Sequence, residues 1–337
     1  MEIYILSSVL GLVVGSFLNV VVYRTDKNKG LGGRSFCPRC KKPIYWYDNI
    51  PLLSYLILGG KCRRCRKPIS AQYPLVELLT GLAFLLAAYL VMSNLINDWL
   101  GHYFILTGLM TVTAKLGVAP SLLGLDQNLK FLELIFLFFV FSTLIAILVY
   151  DLKYMLIPDS FTLAGVIFVL AYNLFADALL LVGALAAKNQ LFALEAAGLS
   201  KKYLPGGRLP INISEFFGYL PNNFYASMVH YGQHGSALIL GSRTGSGLAA
   251  GLIAAGIFFL IVYLSRETWM GMGDVKLVFL LGFFLGIFKM AVALFLAFEL
   301  GAVLGIALIV LGRAKMKTAL PFGPFLIVGA VLSLLFI

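Results

Sequence analysis

The sequence predicts an all-α polytopic membrane protein, with about eight transmembrane helices and a cytoplasmic Zn-binding loop domain. Three observations carry that prediction. Of 337 residues, 61% are hydrophobic and only 12% charged, where soluble domains sit near a half and a quarter. Apolar stretches of about 20 residues recur, the length needed to cross a bilayer as a helix. The basic residues are clustered: residues 24–72 hold twelve Lys or Arg but only Asp26 and Asp48 as acids.

The first span is 3–23. It lacks the basic n-region of a cleaved signal peptide and carries Ser16 and Asn19 inside its apolar run. Loop 24–73 follows, and its positive charge assigns it to the cytoplasm. The net charge of +11 therefore reads as a topology signal with affinity for anionic membrane lipid, not as a nucleic-acid surface. Spans at about 74–93, 131–150, 159–178 and 246–264 come next, with 74–130 as second span plus irregular extension and 131–337 as the membrane core. Residues 275–312 are too long for one span and should break near Phe288-Lys289. The last span is 319–337. The apolar piece 103–119 is expected to be interfacial or re-entrant, since a further crossing would invert everything after it. Residues 179–245 read as an external insertion, helical around 179–199. No internal repeat or low-complexity tract stands out.

Counting spans from the cytoplasmic loop delivers two aspartates to the same side. Asp151 directly follows the run 131–150, and Asp274 lies in Gly271-Met272-Gly273-Asp274. Ionisable groups at the edge of membrane helices are costly and face an interior or a functional cavity. Gly271 and Gly273 would let the backbone approach a neighbouring helix closely, although ordinary small-residue packing also explains them. Asp159 precedes the fourth span and suits an N-cap, which leaves Asp151 as the aspartate without a structural role. Two carboxylates sharing a low-dielectric site divide acid and base roles between them. The residues alone leave three uses open: aspartyl proteolysis, a metal-binding carboxylate pair, and a proton relay in a transporter.

All four cysteines lie in the basic loop, as Cys37-Pro38-Arg39-Cys40 and Cys62-Arg63-Arg64-Cys65. Paired CxxC knuckles are a tetrahedral Zn pattern. A structural Zn2+ site is favoured over two disulfides, which a cytosolic loop disfavours, and over catalytic Zn, which needs an open coordination position.

The chain resembles the type IV prepilin peptidases, bacterial membrane GxGD aspartyl proteases. The resemblance rests on Gly15-Ser16-Phe17-Leu18-Asn19-Val20 with Tyr23-Arg24, both CxxC pairs, and Trp46-Tyr47-Asp48-Asn49-Ile50-Pro51 between them. It continues through Gly60-Lys61-Cys62, Ile69-Ser70 and Tyr73-Pro74-Leu75-Val76-Glu77. Asp151 with Ile157-Pro158-Asp159, Gly271-Met272-Gly273-Asp274-Val275-Lys276 and Pro321-Phe322-Gly323-Pro324 complete it. It implies leader cleavage of prepilins or pseudopilins by Asp151 and Asp274 at the inner-membrane boundary. It also implies methylation of the new N-terminus from S-adenosylmethionine, in the N-terminal region with the Zn loop. The methyl-donor ligands are not identified by it. Asp48, Asn49, Tyr73 and Glu77 are polar candidates, each as readily structural. The stretch between the two aspartates is longer than the family pattern.

Overall fold

A computed structural model of the chain describes residues 2–27, 30, 32–93, 123–196, 243–268, 270–313 and 321–336, with side chains described in the 123–196 helices only over 130–178. Eight α-helices occur among them: α1 (Glu2–Asp26), α2 (Leu53–Ile57), α3 (Gln72–Met92), α4 (Leu123–Tyr154), α5 (Asp159–Ala196), α6 (Arg243–Ser265), α7 (Met272–Val310) and α8 (Gly323–Phe336). A 3-10 turn, Trp46–Asn49, precedes α2. The only β pairing among the described residues is two isolated bridges, Phe36 with Pro43 and Lys61 with Pro68. Six helices are long and apolar enough to cross a membrane. In lipid the backbone must satisfy its own hydrogen bonds, so apolar runs of this length become helices.

The bundle core lies among α3 to α8, where Phe84, Leu137, Phe258, Leu277, Leu281 and Phe283 are fully buried. Aromatic stacking ties the helices together: Phe84 to Phe138 at 4.0 Å and Phe136 to Tyr172 at 3.7 Å between ring centroids. The α1–α3 pair packs backbone to backbone, as a Cβ at Gly15 would sit 2.7 Å from the Glu77 Cα. A second cluster of Leu18, Val22 and Val76 with Ile145, Ala146 and Val149 docks this pair onto α4. At the far end of the bundle, Asp177 of α5 accepts from the backbone amides of Arg243 and Thr244, both at 3.0 Å, and so caps α6.

Several boundaries differ from expectation. Helix α4 runs on through Asp151 to Tyr154, so the aspartate sits in its last turn and not beyond it. The run 275–312 carries the expected interruption: α7 is two helices joined across a kink at Gly286 (φ 76°), two residues before Phe288-Lys289. The break falls at the glycine, which tolerates positive φ. Helix α5 continues to Ala196 where a span ending at 178 and a separate helical piece were expected. The final helix has 14 residues, shorter than a full crossing. The piece 103–119 and most of the insertion lie outside the described residues.

Candidate active site

Asp151 and Asp274 come from opposite termini of different helices, yet both lie at one end of the bundle. Asp151 is in the last turn of α4, where its carbonyl accepts from Met155 N at 2.8 Å. It is 5% exposed, and its Oδ2 has no hydrogen-bond partner among the described residues. The amide of Gly323, the first residue of α8, lies against this carboxylate. A Cβ at Gly323 would fall 2.4 Å from Asp151 Oδ2, so only glycine lets the α8 N-terminus approach this closely. A helix N-terminus carries partial positive charge and favours a carboxylate.

Asp274 occupies the first turn of α7, behind the cap residue Gly271. Its amide donates to the Gly271 carbonyl at 3.1 Å, and its carboxylate faces the Gly271 amide. This is only the N3 half of a capping box, because Gly271 has no side chain to return the bond. The charge on Asp151 acts on Asp274. The two glycines differ in what they do. A Cβ at Gly273 would press on Ile157 Cβ at 3.1 Å, whereas at Gly271 its nearest neighbour is 3.9 Å away. Gly273 therefore seats α7 against the turn between α4 and α5. Asp159 is exposed, and no side-chain cap bond from it is present; its Oδ1 instead accepts from Lys276 Nζ at 2.5 Å. That ion pair clamps the same turn to α7.

The four cysteines converge. Their Sγ atoms all lie within 4.8 Å of one another, and a tetrahedral ion with sulfur at ~2.3 Å needs them roughly 3.8 Å apart. The donor set thus fits a single metal ion. The two knuckles are copies: Cys37 N donates to Lys42 O at 3.0 Å and Lys41 N to Cys37 O at 2.8 Å, while Cys62 N donates to Lys67 O at 3.0 Å and Arg66 N to Cys62 O at 2.9 Å. Lys41 and Arg66 share a left-handed φ of 56° and 57°. The signal was present in sequence as Cys-x-x-Cys, a basic residue, then Lys-Pro-Ile, written twice. Burial pushes the Cys37 thiol up to about 11, while backbone donors led by Cys65 bring Cys62 down to about 7.

Between this loop and the α1–α3 pair lies a cavity of about 480 Å³, within the usual range for small-molecule sites. Its lining includes Asp48, Asn49, Tyr73 and Glu77, so the four polar candidates meet at one place. They are not equivalent. Asp48 is held by Arg63 through contacts of 2.7–3.1 Å. Glu77 is buried and accepts from Leu52 N at 2.8 Å. Lys153, two residues beyond Asp151, also lines the cavity. Two contributors escaped the sequence reading: Gly323, visible only as part of a Pro-Phe-Gly-Pro turn, and Asn19, visible as a polar residue inside a span.

Comparison with known proteins follows this geometry. A family model described as the bacterial Peptidase A24 N-terminal domain matches residues 9–91, which span α1, both knuckles and α3. The Type IV leader peptidase family model matches residues 217–306, which include Asp274 but not Asp151. A prepilin leader peptidase/N-methyltransferase of Aeromonas salmonicida is 27% identical over 350 residues, 96% of this chain and 87% of the relative. One from Vibrio cholerae is 42% identical over 134 residues, covering 35% of this chain and 51% of the relative. One from Myxococcus xanthus is 60% identical over 77 residues, 23% of each chain. The match thus spans about half of the Vibrio relative and under a quarter of the Myxococcus one. No solved structure matches. With both family models in order and an alignment running nearly end to end, the chain belongs to the type IV prepilin leader peptidase family.

Proposed function

We propose that the protein is a bifunctional inner-membrane enzyme. It cleaves the leader from type IV prepilins or pseudopilins at the cytoplasmic boundary and methylates the exposed N-terminus. The observation that carries this reading is the pairing of Asp151 and Asp274 at one end of the bundle, from helices 123 residues apart in sequence (274 − 151).

In the proposed chemistry, one carboxylate is charged and takes a proton from water, while the other is protonated and gives its proton to the scissile carbonyl oxygen. The water oxygen adds to the carbonyl carbon; the first carboxylate then passes the proton it took from water to the leaving nitrogen, the hydroxyl proton returns to the second, and the tetrahedral species collapses to expel the amine. Titration belongs to the pair. The α8 N-terminus, brought in by Gly323, and the α7 N-terminus under Asp274 each supply positive partial charge to hold a carboxylate in place. A prepilin carries its leader in the cytosol and its apolar helix in lipid, so the bond to be cut lies at this boundary.

The methyl-transfer half is assigned to the cavity under the cysteine loop. S-adenosylmethionine, when bound, supplies the methyl group. Cys37, Cys40, Cys62 and Cys65 would hold a structural Zn2+, closing a loop that has no core of its own. Lys153 lines the cavity from the same last turn of α4 that carries Asp151, although residues two apart on a helix point to different sides.

The test is mass spectrometry of a prepilin co-expressed with Asp151→Asn or Asp274→Asn. Each change keeps side-chain size and removes the titrating acid. Leader removal should fall about 10²–10⁴-fold in each. Undiminished cleavage in either variant overturns the assignment.

A further inference from the structure

The cavity lining includes a residue with an acceptor that no described residue uses. Asn19 is 3% exposed. Its Nδ2 donates to the carbonyls of Gly15 at 3.2 Å and Tyr73 at 3.1 Å, which fixes the orientation of the amide. The opposite atom, Oδ1, is buried and has no hydrogen-bond partner among the described residues, and Asn19 lines the cavity. Buried polar atoms are nearly always paired, so an orphan acceptor at a cavity wall marks a place for a donor.

Glu77 lies on the facing helix, one turn beyond Tyr73, and lines the same cavity. It is 8% exposed. Its carboxylate takes hydrogen bonds from the Leu52 amide and from the Ser16 side chain, and no cation among the described residues pairs with it. The only other carboxylate in the lining, Asp48, is already bound by Arg63. The remaining charged side chains of the lining are lysines and arginines, apart from Cys37, Cys40 and Cys62, which would be thiolates on a metal ion. A buried anion wants a cation with several hydrogens. Asn19 from α1 and Glu77 from α3 thus bring an unused acceptor and a carboxylate to the wall of one cavity.

We infer that Asn19 and Glu77 form a receptor for a primary ammonium group on the cavity floor. The inference rests on methyl transfer taking place in this cavity. Two molecules would bring such a group there: the amino-acid end of the methyl donor, and the new N-terminus of the cleaved pilin.

The experiment uses the full chain purified in detergent, with Glu77→Gln and Asn19→Ser. Glu77→Gln keeps the shape and one acceptor oxygen for Leu52 N, removes the charge and leaves Ser16 to accept where it donated, so it decides the question should Asn19→Ser lose its fold. Three quantities are read: S-adenosylmethionine affinity, methylation of pre-cleaved pilin, and competition by a peptide of the mature pilin N-terminus, free or N-acetylated. Loss of one buried charge-assisted bond should cost at least about tenfold in one affinity. A loss in S-adenosylmethionine affinity identifies the donor's amino group. Unchanged donor affinity, with a raised KM for pilin and no remaining preference for the free-amine peptide, identifies the pilin N-terminus. Methylation and both affinities within about twofold of the parent in Glu77→Gln overturn the receptor. A parent protein that cleaves but transfers no methyl group overturns the methyltransferase reading instead.

Discussion

Gly323 has no side chain, and the space where one would go is filled by the Asp151 carboxylate. Gly323→Ala must therefore push Asp151 or the start of α8 away. A displacement near 1 Å at reacting groups costs about 10²-fold in rate, so leader cleavage by Gly323→Ala should fall by that order while Gly271→Ala, whose new methyl meets only a neighbour near 3.9 Å, falls less. Comparing kcat for cleavage in the two variants checks this. At this scale the sequence was informative about chemistry and poor at geometry. Asp151 stood out because an acid beside an apolar run has no cheap explanation. Gly323 did not, because its role depends on a contact across 172 residues (323 − 151), and a Pro-Phe-Gly-Pro turn reads the same whatever it touches. Gly271 and Gly273 looked alike in sequence; only the position of Ile157 separates them.

The knuckles show what an element needs beyond its own residues. Each is a tight turn of eight residues with two backbone bonds and a left-handed residue after the second cysteine, too small to bury a core. Four sulfurs around one ion would supply the missing cohesion. Metal binding displaces thiol protons, and the Cys37 proton is held firmly because burial raises its pKa to about 11, whereas Cys62 at about 7 yields its proton readily. Protons therefore compete with the metal more strongly as pH falls. Zinc content measured by elemental analysis should drop between about pH 7 and pH 5. Because the cysteine loop walls the cavity, stripping zinc with a chelator at neutral pH should reduce methyl transfer more than leader cleavage. The longer elements were legible where composition alone decides them: the apolar runs became helices because lipid permits little else. Their ends were less so. α5 runs past its expected end because nothing local stops it, and α7 is interrupted within two residues of the expected place, at Gly286, because a glycine there adopts φ 76°.

At the scale of the whole molecule, the placement of the aspartates on a common side followed from counting spans, since alternating crossings leave only two sides to choose between. How the two halves meet could not be counted. Residues 9–91, with α1, the cysteine loop and α3, match one family model, and Asp274 lies in the stretch matched by a second. Leu18, Val22 and Val76 join them by packing on Ile145, Ala146 and Val149 of α4. Under the proposed division of labour, cleavage draws on the aspartate half, whereas methylation of the cut end requires the cavity half to stay docked on it. Ala146 is small and 3% exposed at this seam. A larger side chain there must force the helices apart, and overpacking of this kind costs about 1–3 kcal/mol. Ala146→Phe should therefore lower methylation of cleaved pilin more than it lowers cleavage. Intact-mass spectrometry of co-expressed pilin would show a leaderless, unmethylated species accumulating. Equal loss of both activities would instead mean that the seam supports the peptidase itself, and that the two units do not work as separable halves.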